Sequence, residues 1–313
     1  MGETLPIILL AMGGPDRLDA VEPFLRNLFS DPLIFPVPGG RWLAPFIARR
    51  RSRHVRTYYE RIGGGSPLNA TTERQARALE AALGTGFPAR AAFRYWGPDE
   101  ASAVKWVTGL GARRVVALPM YPQYCRATTL SSLVELRRAA TPAGLELLEI
   151  DGYHDDARYL DALAAGTLEG LAAFPPSARP HVVMSAHGVP QSFPKKGDPY
   201  VGQVEATARL LAQRLPEGTP WTLCYQSRVG PVKWVKPYTD ELLPRLAQEG
   251  VREVLMVPLT FVADHVETLD EMDIRLKQIA LDAGITDFRR VPALNDDPAF
   301  IAALAAIVLR RIG

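Results

Sequence analysis

A histidine at the end of an apolar run is where the sequence first offers chemistry. Val182-Val183-Met184 leads into Ser185-Ala186-His187-Gly188-Val189-Pro190 and then Gly197-Asp198-Pro199-Tyr200. Three β-prone residues followed by Gly and Pro predict a buried strand that ends abruptly. In an open α/β sheet, ligands gather at the carboxyl ends of the strands. Imidazole titrates near neutrality, so His187 can take up a proton or ligate a metal there without extreme tuning. Taken alone, a histidine in such a place is more often a hydrogen-bonded structural residue. Its chemistry depends on companions.

Three companions follow other strand candidates. Asp264-His265-Val266-Glu267-Thr268 comes after the apolar run Val254–Val257 and opens a helix whose stripe is Leu269, Met272, Leu276, Ile279 and Ala280. Glu267 and Glu271, four apart, share the opposite polar face. Acidic residues in a first turn also simply favour the helix dipole. Asp-x-x-Glu and His-x-Glu resemble metal-ligand spacing, but no third or fourth ligand stands nearby, so a transient site of low coordination fits better than a structural one. Gln226-Ser227-Arg228-Val229-Gly230-Pro231 with Trp234, and Tyr121-Pro122-Gln123-Tyr124, likewise follow strands. If the clusters at His187, Gln226–Trp234 and Asp264–Glu267 converge, a neutral imidazole facing a carboxylate suits proton removal coupled to divalent-metal handling. Gly63-Gly64-Gly65-Ser66-Pro67 before a helix could cradle an anion, or be a tight turn and cap. It is neither a P-loop nor a G-x-G-x-x-G fingerprint.

The elements that must position these residues alternate from end to end. Strands are expected at Pro6–Ala11, Ala91–Tyr95, Val115–Leu118, Leu147–Ile150, Val182–Met184, Trp221–Tyr225, Val254–Val257 and Phe288–Val291. Helical patterns lie between them, among them Leu210–Leu215, Leu242–Leu246 and Pro298–Ile312. Such alternation predicts an α/β fold of parallel sheets flanked by helices. Gly111-Ala112-Arg113-Arg114-Val115-Val116-Ala117-Leu118-Pro119 echoes Gly250-Val251-Arg252-Glu253-Val254-Leu255-Met256-Val257-Pro258, and Gly97-Pro98 echoes Gly230-Pro231. Two similar halves are therefore expected, residues 1–160 and 161–313, joined within Asp155–Pro180. One insertion, about 30–61, breaks the alternation: Phe35-Pro36-Val37-Pro38-Gly39-Gly40, Trp42-Leu43-Ala44-Pro45-Phe46-Ile47, then Arg49-Arg50-Arg51 and Arg53. A segment like this is a functional lid, whose large apolar residues beside a basic run suit an interfacial surface or an apolar pocket rimmed by cations for carboxylates, or else a helix that packs Trp and Phe on the core with its arginines solvated.

Composition narrows the class. The 313 residues carry 36 Lys+Arg against 34 Asp+Glu, a net charge of +2, which argues against a nucleic-acid partner. Two distant cysteines, Cys125 and Cys224, exclude a four-cysteine zinc or iron–sulfur site within one chain. Ile7-Ile8-Leu9-Leu10 is too short for a signal peptide, and no apolar run approaches the roughly 20 residues that span a bilayer. The expected location is the cytoplasm.

These motifs, in this order, resemble the ferrochelatase family, class II chelatases of the lyase class that insert ferrous iron into a porphyrin to make haem. The resemblance runs over nearly the whole chain. It is carried by Met12-Gly13-Gly14-Pro15, Leu43-Ala44-Pro45-Phe46-Ile47, Arg61-Ile62-Gly63-Gly64-Gly65-Ser66-Pro67, Phe93-Arg94-Tyr95, Tyr121-Pro122-Gln123-Tyr124, Ser185-Ala186-His187, Gly197-Asp198-Pro199-Tyr200, Gln226-Ser227-Arg228-Val229-Gly230-Pro231 and Asp264-His265-Val266-Glu267-Thr268.

The resemblance implies two Rossmann-like halves, each a four-stranded parallel sheet, clasping the macrocycle as a monomer. It assigns iron binding and pyrrole-proton removal to His187 and Glu267. Phe35, Arg94, Tyr95, Tyr121, Trp234 and His265 fall on positions lining or supporting the porphyrin pocket, with Asp264 and Glu271 as accessory acids. Residues 30–61 match the family's apolar lip, which can touch a membrane. Fe²⁺ and porphyrin are then substrates, with no tightly bound cofactor, and transient contact with the preceding haem-pathway enzyme is implied as well. Cluster-bearing members place cysteines near the C-terminus; none stands there, so no [2Fe–2S] cluster is expected. Arg275 replaces an acid found in some members, and Gly97 replaces a histidine. Protoporphyrin IX is the expected porphyrin, giving haem b in the last step of haem biosynthesis. Coproporphyrin, a cobalt or nickel chelatase acting on another tetrapyrrole, and a non-catalytic carrier are the alternatives.

Overall fold

Parallel strands buried on both faces must be apolar almost throughout. The central strands Ile7–Ala11, Arg114–Pro119, His181–His187 and Glu253–Pro258 obey that rule, while the edge strands are partly polar and partly exposed. The computed structural model describes residues 4–35 and 39–313; Pro36-Val37-Pro38 of the expected lip lie outside them. In the first unit, β1 (Ile7–Ala11), β2 (Ala89–Phe93), β3 (Arg114–Pro119) and β4 (Glu146–Glu149) form a parallel sheet in the order β2-β1-β3-β4. In the second, β5 (His181–His187), β6 (Trp221–Gln226), β7 (Glu253–Pro258) and β8 (Asp287–Arg290) repeat it as β6-β5-β7-β8. The register repeats as well: Leu10 pairs with Pro119, and Ser185 with Pro258.

The echo seen in sequence is β3 and β7 with their entrances. Gly111 (φ 73°) and Gly250 (φ 94°) take the left-handed turn that ends each preceding helix. The prolines correspond differently from expectation. Pro98 accepts from Phe93 N at 2.8 Å and Pro237 accepts from Tyr225 N at 2.9 Å, so Pro237, not Pro231, is the partner of Pro98.

Helices cover the sheets and bury their apolar stripes on them. Val104, Val107, Leu133 and Leu136 pack on Ile8, Leu10 and Val115 in the first unit. Leu242, Leu246, Met272 and Leu276 pack on Val183, Val254 and Met256 in the second. The compact units are residues up to Tyr153 together with Asp296–Gly313, and His154–Asn295. The division falls before the Ala157–Ala172 helix instead of at 160, and the terminal helix, expected in the second half, belongs to the first. Asp297 caps that Pro298–Ile312 helix by accepting from Ala299 N and Phe300 N. Its buried face is Phe300, Leu304 and Val308, and it packs on the Leu68–Leu83 helix.

The insertion contains the Gly40–Arg61 helix. Its buried residues Gly40, Ala44, Ala48 and Ser52 form a small-residue stripe four apart, and it packs on the Val21–Phe29 helix. Trp42 is 88% exposed and Phe46 69% exposed. Of the two readings of this segment, core packing of Trp and Phe is thereby excluded. The glycine turn before the next helix serves packing, since a Cβ on Gly65 would stand 2.3 Å from Asp16 O.

Candidate active site

In the second unit, β5 runs on to His187 and delivers its ring at the carboxyl edge of the sheet. His187 Nδ1 lies 2.5 Å from Gly188 O. A carbonyl only accepts, so Nδ1 carries the proton and Nε2 is the nitrogen turned to the site. The backbone is held by Tyr200, whose hydroxyl donates to His187 O at 2.9 Å, and by Thr260, which accepts from His187 N at 3.2 Å. Trp234 and Phe261 border the ring at centroid distances of 6.4 and 6.5 Å. Gly188 makes room for this arrangement: a Cβ there would meet Gln226 O at 2.9 Å and the Trp234 ring at 3.2 Å.

Glu267 faces His187, with Oε1 3.5 Å from Nε2. Its other oxygen, Oε2, lies 3.7 Å from His265 Nε2, is buried, and makes no hydrogen bond. His265 has its Nδ1 3.1 Å from Ala263 O and packs on Phe261 at 4.8 Å. Glu267 begins a π-helix, Glu267–Leu276, which continues as the Lys277–Ala283 α-helix. Wider winding moves the buried face from the expected stripe: Thr268, Met272, Leu276 and Ala280 are buried at intervals of four, and Leu269 only partly.

Glu271, one turn on, is gripped by the end of β6. Ser227 N donates to Oε1 at 3.1 Å, Ser227 Oγ to Oε2 at 2.5 Å, and Gln226 Nε2 to Oε2 at 3.2 Å. Gln226 Nε2 also donates to Glu267 O at 2.9 Å, tying both acids to one side chain.

Asp264 is not part of this group. It accepts from Arg290 Nη1 at 2.9 Å, Thr268 Oγ1 at 2.8 Å and Asn295 Nδ2 at 2.9 Å, and Arg290 also holds Asp273 at 2.7 Å. The expected accessory acid anchors the start of the π-helix to the end of β8.

Charge follows this geometry. Burial would lower the His187 pKa, but the Glu267 carboxylate and the Gly188 carbonyl outweigh it and raise it to about 9. Burial would raise Glu267; the two histidines win and hold it well below the carboxylate range. Glu271 is pushed up, first by burial and then by Glu267. Burial would raise Asp264 too, yet Arg290 and its other donors lower it.

In the first unit, Arg94 and Tyr95 meet a residue the sequence reading passed over, Asp31. Arg94 Nη2 lies 3.0 Å from Asp31 Oδ2 and its Nε donates to Ser131 Oγ at 2.8 Å. Tyr95 OH donates to Asp31 Oδ2 at 2.7 Å, and Ser131 donates there too. Burial and then Asp31 push the Tyr95 phenol far above its ordinary value. Phe35 packs edge-on to Phe29 at 5.9 Å, and Tyr121 is a partly buried residue just past β3. Ser30-Asp31-Pro32 looked like the mouth of the insertion, and nothing local marked its carboxylate as the partner of residues 63 and 64 positions on.

His187, Glu267, His265, Glu271 and Trp234 thus form one cluster, and Arg94 and Tyr95 another with Asp31. Among the described residues no group of three or more His, Cys, Asp or Glu is arranged to hold a metal ion. What the His187–Glu267 cluster offers is one imidazole nitrogen and one carboxylate oxygen without a hydrogen bond, a pair that can hold a divalent ion in passing and exchange protons.

The ferrochelatase family model matches residues 5–312. A ferrochelatase of Geotalea daltonii is 48% identical over 98% of this chain and 98% of its own. One from Synechococcus sp. (strain RCC307) is 44% identical over 96% of this chain and 81% of its own. Among solved structures, the sirohydrochlorin chelatase SirB from Bacillus subtilis subspecies spizizenii with cobalt aligns at TM-score 0.59 and 12% identity, covering 98% of this chain and 95% of that one. SirB from Bacillus subtilis with Fe³⁺ aligns at TM-score 0.60 and 14% identity over 78% of this chain and 89% of that one. At such identities these structures speak for the fold alone.

Proposed function

Because the chain belongs to the ferrochelatase family, we propose that it inserts Fe²⁺ into protoporphyrin IX to form haem b, with His187 and Glu267 handling the metal and the protons. The observation that carries this is the pair itself: an imidazole Nε2 3.5 Å from a carboxylate whose second oxygen is buried without a hydrogen bond.

Insertion brings in two positive charges and must release two pyrrole protons, so the site has to exchange like for like. His187, its pKa raised to about 9, holds a proton on Nε2 in the free protein at neutral pH. Once that proton passes to solvent, Nε2 accepts one pyrrole proton while Nδ1–H stays turned to Gly188, and the second pyrrole proton passes to the Glu271 carboxylate one turn on. The Glu267 carboxylate then stabilises the imidazolium beside it. Before it takes that proton, the Nε2 lone pair together with the bare Oε2 suits a borderline divalent ion, with the ion's other positions left for ring nitrogens and water. Trp234 and Phe261 give the site apolar walls next to which a flat macrocycle can stack. The reaction is of the lyase class.

Anaerobic assay of purified protein tests this. Haem should appear from Fe²⁺ and protoporphyrin IX, and His187→Ala should lower the rate by about 10²–10⁴-fold with circular dichroism unchanged. No haem from protoporphyrin or coproporphyrin would sink the reading, and faster turnover of Co²⁺ with sirohydrochlorin would favour the chelatase alternative.

The Gly40–Arg61 helix supports a peripheral membrane contact. Trp42, Leu43 and Phe46 are exposed, and exposed Arg49, Arg50 and Arg53 follow them along the helix, an apolar tip with a cationic shoulder suited to an anionic lipid surface. The same face is where a poorly soluble porphyrin from the preceding pathway enzyme would be handed over. No described helix is long and apolar enough to cross a membrane. Flotation with phosphatidylglycerol vesicles should carry the protein up, and Trp42→Ser with Phe46→Ser should leave it at the bottom.

A further inference from the structure

Ser227 stands in a backbone conformation that serine rarely takes. Its φ is 65°, and among the described residues only Asn295, at 47°, shares a positive φ without being glycine. Asparagine tolerates this region; a serine held there is strained unless its surroundings insist on it. The left-handed turn brings the Ser227 N–H and hydroxyl onto the same carboxylate, at 3.1 and 2.5 Å from the two oxygens of Glu271.

The grip is braced from behind. Ser185 Oγ donates to Gln226 Oε1 at 2.7 Å, which fixes the amide so that Nε2 points to Glu271 and to the Glu267 carbonyl. On the outer side waits Arg275, whose Nη1 is 3.8 Å from Glu271 Oε1 and whose side chain is 46% exposed. Glu271 is therefore held inward by neutral donors while a cation pulls on it from the outer side.

We propose that Ser227 is a positioning residue of the metal-insertion reaction: its N–H and hydroxyl hold the Glu271 carboxylate one turn behind Glu267 against the pull of the Arg275 guanidinium 3.8 Å away. This rests on the reading of the site as one that inserts Fe²⁺. The gain is a second negative group fixed in advance beside the place where a cation arrives and protons depart, which is how preorganised charge lowers a barrier. Ser227 need not touch the porphyrin for this.

Steady-state insertion of Fe²⁺ into protoporphyrin IX under anaerobic conditions separates the possibilities. Ser227→Gly keeps the left-handed backbone and the N–H and removes only the hydroxyl. It should lower kcat about tenfold, as loss of one charge-directed hydrogen bond does, with porphyrin KM within about twofold and the unfolding midpoint not reduced. Ser227→Asn, which accepts the same φ and still donates, should recover part of that loss. On a Glu271→Gln background Ser227→Gly should add little, since the two act through one contact. A wild-type kcat in Ser227→Gly, a rise confined to porphyrin KM, or additive losses in the double variant would overturn the role of Ser227 while the activity itself stands. A wild-type protein that makes no haem overturns both.

Discussion

His187 and Glu267 answer each other electrostatically, and that reciprocity is measurable. In the free protein the His187 ring should titrate at about 9, above its ordinary 6.5, so the stability it contributes is present below pH 6.5 and is lost as pH rises through 9. Glu267→Gln leaves burial less opposed, and the pKa should drop back toward the ordinary value. Histidine NMR on both proteins reads this, and an unchanged titration would show that Glu267 is not the cause. A second residue gives the opposite kind of test. Glu100 is 4% exposed, its Oε1 makes no hydrogen bond, and it lines a cavity of about 360 Å³ with Arg94, Asp99, Glu135 and Arg138. Burial, its largest influence, pushes it up to about 7 from 4.5. The stability of the neutral acid is complete below pH 4.5 and lost as pH rises through 7, a cost of up to ~3 kcal/mol at pH 8.5. Glu100→Gln should therefore be more stable than wild type at pH 8.5, with the gap closing by pH 5 in urea titrations. A gap independent of pH would contradict it. At this scale the sequence put His187, Glu267 and Trp234 after strands, and the structure gathers them at one sheet edge. It gave no sign of the Arg290 partner of Asp264 and was silent on Asp31, because those partners are side chains far along the chain.

At the scale of elements, what could be read was whatever burial on two faces writes into composition. All eight strands stand where the apolar runs put them, within one to three residues at each end. The helix read at Leu210–Leu215 is in fact Tyr200–Ala212, whose buried stripe of Tyr200, Val204, Thr207, Ala208 and Leu211 is marked in sequence only faintly by the small Thr207 and Ala208. The π-winding of Glu267–Leu276 was invisible for a different reason: spacing of four satisfies α and π periods almost equally over ten residues. What holds that winding open is beyond local reach, the Arg290 clamp on Asp264 and Asp273. Arg290→Ala leaves two acids facing each other without their cation. It should cost about 2–3 kcal/mol in denaturant unfolding and lower kcat as the helix carrying Glu267 loosens. Arg290→Lys, a single point charge without the fork, should recover only part of either. Stability lost with kcat intact would mean that the clamp serves the fold and not the site.

Across the whole molecule, one plan is used twice and equipped once. Pro119 and Pro258 end equivalent strands, and the residue nine further on is Thr128 in the first unit and Glu267 in the second. Two residues past their equivalent partners, Leu10 and Ser185, stand Met12 and His187. The first sheet thus has the same frame without the histidine and the carboxylate, and its own polar cluster is built on Asp31. The echo of 111–119 in 250–258 made the duplication legible; the allocation of the last helix was not, because an apolar stripe does not say which sheet it covers. The structure assigns Pro298–Ile312 to the first unit, and that has a consequence for the intact chain. Leu304 is fully buried, and Leu304→Ala should cost about 2–5 kcal/mol. The loss should be felt where the helix packs, not where the chain last ran. Hydrogen exchange followed by mass spectrometry on the full-length variant should show faster exchange in β1–β4 and in the Leu68–Leu83 helix, with β5–β8 close to wild type. Faster exchange concentrated in β5–β8 would place the terminal helix with the second unit and remove this division of the chain.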